Sequence, residues 1–307
     1  MKTITSIGKM QEFARQVRGA NLTIGFVPTM GYLHEGHIDL VRHARTESDV
    51  VVVSIFVNPT QFDRKDDFDR YPRDDARDHA LLEAERVDVL FMPAADQVYQ
   101  PGAATRVRVD RLAETLCGPR RPGHFEGVAT IVAALLSMVT PDRAWFGEKD
   151  YQQLCIVRRM VRDLHFPVSI IGVPTVREAD GLAMSSRNAR LGAPQRAIAP
   201  AVHRALTAAT DAYLAGETLT AVLIQRAHAV LAKHPELRPE YLEVVDGETL
   251  QPVATATDRS VIAAAVWLGE VRLIDNVIFA RALEARAGRS EDYATANASH
   301  GGHNPHA

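Results

Sequence analysis

The sequence predicts an α/β protein in which a parallel-sheet domain, residues 1–177, is followed by a smaller α+β domain, residues 178–285. Three observations carry the prediction. Between Thr23 and Val173, short β-rich runs alternate with stretches of helical period, the pattern of βα units around a parallel sheet. One of those runs, Val50 to Val57, is apolar on both alternating faces, so it is a strand covered by helices on each side and marks the middle of the sheet. After about Arg177 the alternation stops, and a polar loop leads into Ala-rich helical sequence and then strands joined by an Asp246-Gly247 turn.

In chain order, Ile7, Met10, Phe13, Ala14 and Val17 have helical spacing. The segment has no uninterrupted apolar stretch of the signal-peptide kind, so export is not expected. Strands are expected at Thr23–Val27, Val50–Val57, Val87–Phe91 and Val168–Val173, and helices at His37–Ala44 and Tyr151–Leu164. The second of these helices carries Leu154, Val157, Met160, Val161 and Leu164 on one stripe. The apolar stretch Gly127–Val139 falls short of the roughly 18 to 20 residues that a bilayer span needs and reads as a buried helix. In the second domain, helical sequence runs from Gln195 to Lys233, and strands are expected at Tyr241–Val245, Val261–Trp267 and Val271–Ile274. Residues 286–307 are rich in Gly, Ser, Asn and His and have too little to bury to offset their ordering entropy, so a disordered tail is expected. His300, His303 and His306 leave a metal-binding tail open beside an inert one.

Composition narrows the function. A chain of 307 residues with 24% charged and 46% hydrophobic residues is an ordinary globular protein with room for two cores. Lys and Arg total 35 against 38 Asp and Glu, a net charge of -3, so no global basic field draws nucleic acid or an anionic membrane. Small-molecule partners are expected. Cys117 and Cys155 fit neither a zinc motif nor a disulfide framework, and a cytoplasmic location is expected.

Four segments carry chemistry. Pro28-Thr29-Met30-Gly31-Tyr32-Leu33-His34-Glu35-Gly36-His37 runs from a strand through a Gly-bearing turn to a helix N-terminus, where backbone N–H groups, the helix dipole and two imidazoles suit phosphate. A plain helix cap and a metal-binding His pair are the competing readings. Asn58-Pro59-Thr60-Gln61 ends the central strand, at the sheet edge where α/β proteins bind ligands, although an Asn-Pro strand end is common. Phe146-Gly147-Glu148-Lys149-Asp150-Tyr151-Gln152-Gln153 is another strand-to-helix turn, with a Lys for phosphates or simply a solvated Lys-Asp turn. Val176 and then Met184-Ser185-Ser186-Arg187 follow the last strand, as a mobile lid or as a Ser-rich linker.

Taken together, these motifs resemble the pantothenate synthetase (pantoate–β-alanine ligase) family of the nucleotidyltransferase and class I aminoacyl-tRNA synthetase superfamily. The resemblance runs from the first helix to about Phe279 and includes Tyr241-Leu242-Glu243-Val244-Val245-Asp246 and Arg272-Leu273-Ile274-Asp275-Asn276. It implies a Rossmann-like N-terminal domain for ATP and pantoate, a smaller lid domain, and Mg²⁺ as a cofactor. The implied reaction condenses D-pantoate with β-alanine through a pantoyl adenylate, in a homodimer. ATP would meet Pro28, Thr29, Met30, His34, Gly36, His37, Gly147, Glu148, Lys149, Asp150, Val176, Met184, Ser185, Ser186 and Arg187, with His34, His37, Lys149 and Arg187 acting in catalysis. Pantoate would meet Met30, Asn58, Gln61, Arg121, His124, Ile131, Val132 and Gln153; without the resemblance, Ile131 and Val132 read as core. Many relatives carry adjacent acids near a magnesium site where this chain has Arg77-Asp78, which leaves Asp78 as the metal candidate. A transferase that leaves the nucleotide on its product, and a non-catalytic nucleotide sensor or tRNA-binding protein, are the rival functions.

Overall fold

The computed structural model describes residues 1–287, so the expected tail lies outside the described residues from Gly288 onward, with His300, His303 and His306. The chain divides into two compact units, Met1–Pro200 and the chain from Ala201. The first holds a six-stranded parallel sheet built from β1 (Lys2–Ile4), β2 (Ile24–Thr29), β3 (Val50–Ile55), β4 (Val89–Phe91), β5 (Arg143–Gly147) and β6 (Ser169–Val173), in the order β1-β4-β3-β2-β5-β6. Phe26 pairs with Val52, Val53 with Leu90 and Ala144 with Ile170. The helices are α1 (Ile7–Gly19), α2 (Glu35–Glu47), α3 (Lys65–Asp69), α4 (Asp75–Ala84), α5 (Ala95–Val98), α6 (His124–Val139), α7 (Tyr151–Asp163) and α8 (Ala193–Ile198).

The valine run of β3 explains why the sheet is covered on both faces. Val51, Val52 and Val53 are all fully buried, and each stabilises the fold by about 1.5–3 kcal/mol relative to exposure. Val51 and Val53 pack in one cluster with Val27, Leu40, Val41, Ala44 and Leu82, whereas strand alternation turns Phe26 and Val52 to the other face, where α6 meets β2. The expected strands and helices form, with β3 ending at Ile55 and α2 starting two residues early at Glu35.

The expected domain boundary after Arg177 falls inside the first unit, which continues to Pro200. Long-range bonds tie this segment down: Ser186 Oγ donates to the Tyr32 carbonyl at 3.3 Å, and Arg187 and Arg190 both reach Asp67. A polar loop marks a change of pattern in sequence, but such bonds over more than a hundred residues are invisible there.

In the second unit the expected helical stretch forms α9 (Ala201–Leu214) and α10 (Thr220–Leu231), and the strands β7 (Leu237–Asp246), β8 (Ser260–Leu268) and β9 (Val271–Ile278) make an antiparallel sheet. The Asp246-Gly247 turn forms as expected, with Asp246 Oδ1 accepting from the amides of Glu248 and Thr249.

Candidate active site

The chain builds β2, β3 and β4 to one side and then returns to lay β5 and β6 on the other side of β2. The switch point therefore lies between β2 and β5, where open α/β sheets bind ligands at their carboxyl ends. A cavity of about 230 Å³ opens there, walled by the residues that follow β2, β3, β5 and β6.

The turn after β2 owes its shape to Asp78. This carboxylate, fully buried on α4, accepts from the Tyr32 amide at 2.6 Å and the Leu33 amide at 2.7 Å. Burial pushes its pKa up, against the pull of those two amides. Both oxygens are thus engaged by backbone, and Asp78 lies outside the cavity wall. Among the described residues no three His, Cys, Asp or Glu side chains are grouped to hold a metal, and its two backbone amides give Asp78 a positioning role in this turn. The same bonds take two of the turn's amides away from any phosphate. Of the four amides at the head of α2, those of His37 and Ile38 donate to the His34 carbonyl, which leaves Glu35 and Gly36 as the backbone donors there.

His34 and His37 both line the cavity, their ring centroids 4.0 Å apart. The His34 amide donates to His37 Nδ1 at 3.3 Å, which makes Nδ1 the acceptor and puts the ring proton on Nε2. Burial pushes His37 well below its ordinary pKa, helped by His34 and the Lys149 charge. Burial, then Lys149, lowers His34 to about 4. Both imidazoles are neutral at pH 7, and His34 Nδ1 is buried with no protein partner. The ring of His34 lies over Gly36, where an added Cβ would stand 3.0 Å from its Cε1 and Nδ1 and press the ring aside by a few tenths of an ångström.

On the opposite wall, a 3-10 turn at Pro59–Gln61 presents Gln61. Asn58 sets its orientation: Asn58 Nδ2 donates to Gln61 Oε1 and to the Gly127 carbonyl, both at 3.1 Å, and its Oδ1 accepts from Tyr99 Oη at 2.7 Å. Gln61 is left with Nε2 as its outward donor, 2.9 Å from Met30 Sδ. Asn58 lines the cavity, but with its amide hydrogens engaged it acts through Gln61. The close seat of this turn on α6 depends on Gly127, because a Cβ there would lie 2.3 Å from the Thr60 carbonyl oxygen.

His124 and Arg121 complete this wall. Arg121 carries only donors, so the 3.0 Å contact between its Nη1 and His124 Nε2 makes Nε2 an acceptor, and His124 Nδ1–H donates to the Gln61 carbonyl at 2.7 Å. Burial, then the Arg121 charge, lowers the His124 pKa to about 3. A neutral ring with both nitrogens engaged cannot take a proton from an amine substrate. Arg121 is itself paired with Asp63 at 2.9 Å.

The turn after β5 brings Gly147, Lys149, Asp150 and Gln153 to the cavity, with Lys149 Nζ 3.6 Å from Asp150 Oδ2. Glu148 is buried and not on the wall, so of the expected ATP ligands it alone stands apart. Its neighbour Gln152 is structural, bonded to the backbone of Leu112, Thr115 and Cys117. Val176, Met184, Ser185, Ser186 and Arg187 line the cavity, and Ser185 Oγ accepts from the Arg187 amide at 3.3 Å. Pro28, Thr29, Ile131 and Val132 are also on the wall. Sequence reading missed Phe56, Phe62, Tyr71, Val128 and Thr175, which carry no motif of their own and reach the cavity only through tertiary packing.

Fold and cavity together define an α/β protein with a cavity at the switch point of a parallel sheet, where proteins of this architecture bind ligands. The sequence matches the profile of the pantoate-beta-alanine ligase family over residues 2–278, and the chain belongs to that family. It is 50% identical over 278 residues to the pantothenate synthetase of Moorella thermoacetica, covering 91% of this chain and 98% of that protein. Among solved structures it is similar to the pantothenate synthetase of Thermus thermophilus, with TM-score 0.85, 47% identity, and coverage of 91% of this chain and 99% of that one. It is also similar to the Francisella tularensis pantoate-beta-alanine ligase complexed with beta-gamma ATP and beta-alanine, with TM-score 0.75, 34% identity, and coverage of 91% and 98%. Among the described residues no helix is long and apolar enough to cross a membrane.

Proposed function

We propose that the chain condenses D-pantoate with β-alanine at the expense of ATP, giving pantothenate, AMP and diphosphate through a pantoyl adenylate. The observation that carries this reading is one cavity walled on one side by neutral imidazoles and a lysine, His34, His37 and Lys149, and on the other by the neutral amide of Gln61. The first set suits phosphates and the second a carboxylate. The ATP and beta-alanine named for the Francisella tularensis enzyme support the same substrates here.

In the first step the pantoate carboxylate attacks the α-phosphorus, a P–O bond forms, and the bond to diphosphate breaks. Gln61 and Gln153 orient the carboxylate without neutralising it, and Arg121 does not damp it because Asp63 and His124 hold that guanidinium. His37 Nε2–H, Lys149 and Arg187 face the charge that moves onto the departing diphosphate. In the second step the β-alanine amine attacks the acyl carbon and AMP leaves. The enzyme supplies no covalent nucleophile.

Magnesium fits as part of the MgATP substrate. Asp150 is the carboxylate on the wall among the described residues, and Mg²⁺ in such sites is held mainly by phosphate oxygens and water. When bound it offsets the charge of the leaving diphosphate. We also propose a cytoplasmic homodimer; the dimer rests on family resemblance, and the buried thiols of Cys117 and Cys155 suit a reducing compartment. A coupled assay with D-pantoate, β-alanine, ATP and Mg²⁺ tests the reaction. Equal yields of AMP and pantothenate are expected, and a product that retains the nucleotide would overturn it in favour of a nucleotidyltransferase.

A further inference from the structure

Asp67 lies on α3, outside the cavity wall, yet it binds two cations from a segment more than a hundred residues away. Its Oδ2 is 2.8 Å from Arg187 Nη2 and its Oδ1 is 2.9 Å from Arg190 Nη1. Arg187 is also held 5.9 Å from the ring centroid of Tyr71, and both of these residues line the cavity. The aromatic cluster of Phe62, Phe68 and Tyr71 makes 59–71 one folded segment, with Phe62 edge-on to Phe68 at 5.3 Å and to Tyr71 at 5.6 Å. Gln61 stands at the start of that segment. One carboxylate therefore fastens the Met184–Arg187 loop, on the phosphate side, to the segment that carries the carboxylate-side amide.

The charge count explains why the carboxylate is needed. Two guanidiniums and one carboxylate leave a net charge of +1, which attracts a polyphosphate, while Asp67 screens the repulsion that would drive Arg187 and Arg190 apart. Burial raises the Asp67 pKa, but hydrogen bonds and charge from Arg187 and Arg190 outweigh it and hold the group below the ordinary carboxylate value.

We propose that Asp67 is a positioning residue for adenylate formation: by sharing its carboxylate between Arg187 and Arg190 it sets Arg187 at the phosphate side of the cavity, in register with Gln61. The inference rests on the proposed function. It is tested by steady-state kinetics of the full chain with ATP, D-pantoate and β-alanine varied in turn. Asp67→Asn is expected to raise the KM for ATP about tenfold while the KM for β-alanine stays within about twofold. Adding Arg190→Gln to Asp67→Asn should recover most of that loss, because the cation that repels Arg187 is gone; a merely structural role makes the double variant worse. An Asp67→Asn enzyme with wild-type KM for ATP, or a double variant no better than the single one, overturns the proposal. Should Asp67→Asn not fold, Arg190→Gln alone decides. It lowers the local charge from +1 to 0, so the KM for ATP should depend less on salt than in the wild type, and an unchanged salt dependence overturns the proposal. Wild-type protein that makes no AMP would instead remove the proposed function itself.

Discussion

Gly127→Ala separates the positioning of Gln61 from the stability of the fold. The new Cβ would meet the Thr60 carbonyl oxygen at 2.3 Å, where ordinary contact begins at 3.4 Å, so α6 and the Pro59–Gln61 turn must part by about 1 Å to restore it. Overpacking of this kind costs about 1–3 kcal/mol, and replacing a helical glycine by alanine returns about 1 kcal/mol. The net loss of about 0–2 kcal/mol lowers Tm by a few degrees at about 2–4 °C per kcal/mol. The effect on rate is larger, since the shift also breaks the bond from Asn58 Nδ2 to the Gly127 carbonyl that fixes Gln61, and a misplacement of about 1 Å costs on the order of 10²-fold. Thermal unfolding and kcat/KM for pantoate from AMP release measure the two effects. A variant whose kcat/KM stays within about threefold of wild type refutes the idea that this close approach positions Gln61.

Further outcomes follow from the same geometry. His37→Ala and Lys149→Ala should fold normally and lose on the order of 10²-fold in turnover; near-wild-type rates in both would remove their assignment to phosphate. Asp78→Asn turns an acceptor into a donor against the Tyr32 or Leu33 amide, which costs about 1–3 kcal/mol. Its Tm should fall while the Mg²⁺ concentration for half-maximal rate is unchanged, and a large shift in that concentration would restore the metal-ligand reading. His34 and His124 titrate near 4 and 3 in the folded chain, through burial first, against 6.5 when unfolded. Folded pKa values below the unfolded one mean that the unfolded chain binds more protons, so this contribution to stability is full above pH 6.5 and is lost as pH falls toward about 4 for His34 and about 3 for His124. Urea unfolding across that range should show the loss, and a flatter slope in His124→Asn; equal slopes would contradict the buried neutral imidazole.

The parts of the site that sequence made legible are those built by one local stretch. His34 and His37 are brought together by a single helix start, which their spacing shows, and Lys149 and Gln153 lie in one short stretch to which the family resemblance assigns its roles. Val50–Val57 was legible as a central strand because burial on both faces leaves no polar alternation. What was not legible depends on partners distant in the chain. Asp78 is a metal candidate only through the family resemblance, and a carboxylate in sequence does not disclose the amides of Tyr32 and Leu33, 46 and 45 residues away, that it accepts from. Asn58 and His124 looked like ligand contacts, and only the fold reveals Gly127 and the Gln61 carbonyl as their partners. Glu148 stands between Gly147 and Lys149, which both reach the cavity, but its own side chain is buried off the wall. The strand β1 has three residues, too few for a period to register.

The central claim is that this cavity activates a carboxylate as an adenylate before the amine takes part. Isotope exchange of labelled diphosphate into ATP, with D-pantoate present and β-alanine absent, tests it most directly. The account predicts exchange that depends on pantoate and falls on the order of 10²-fold in His37→Ala and Lys149→Ala. Exchange that strictly required β-alanine, or none at all from an enzyme that still makes pantothenate, would contradict the two-step mechanism.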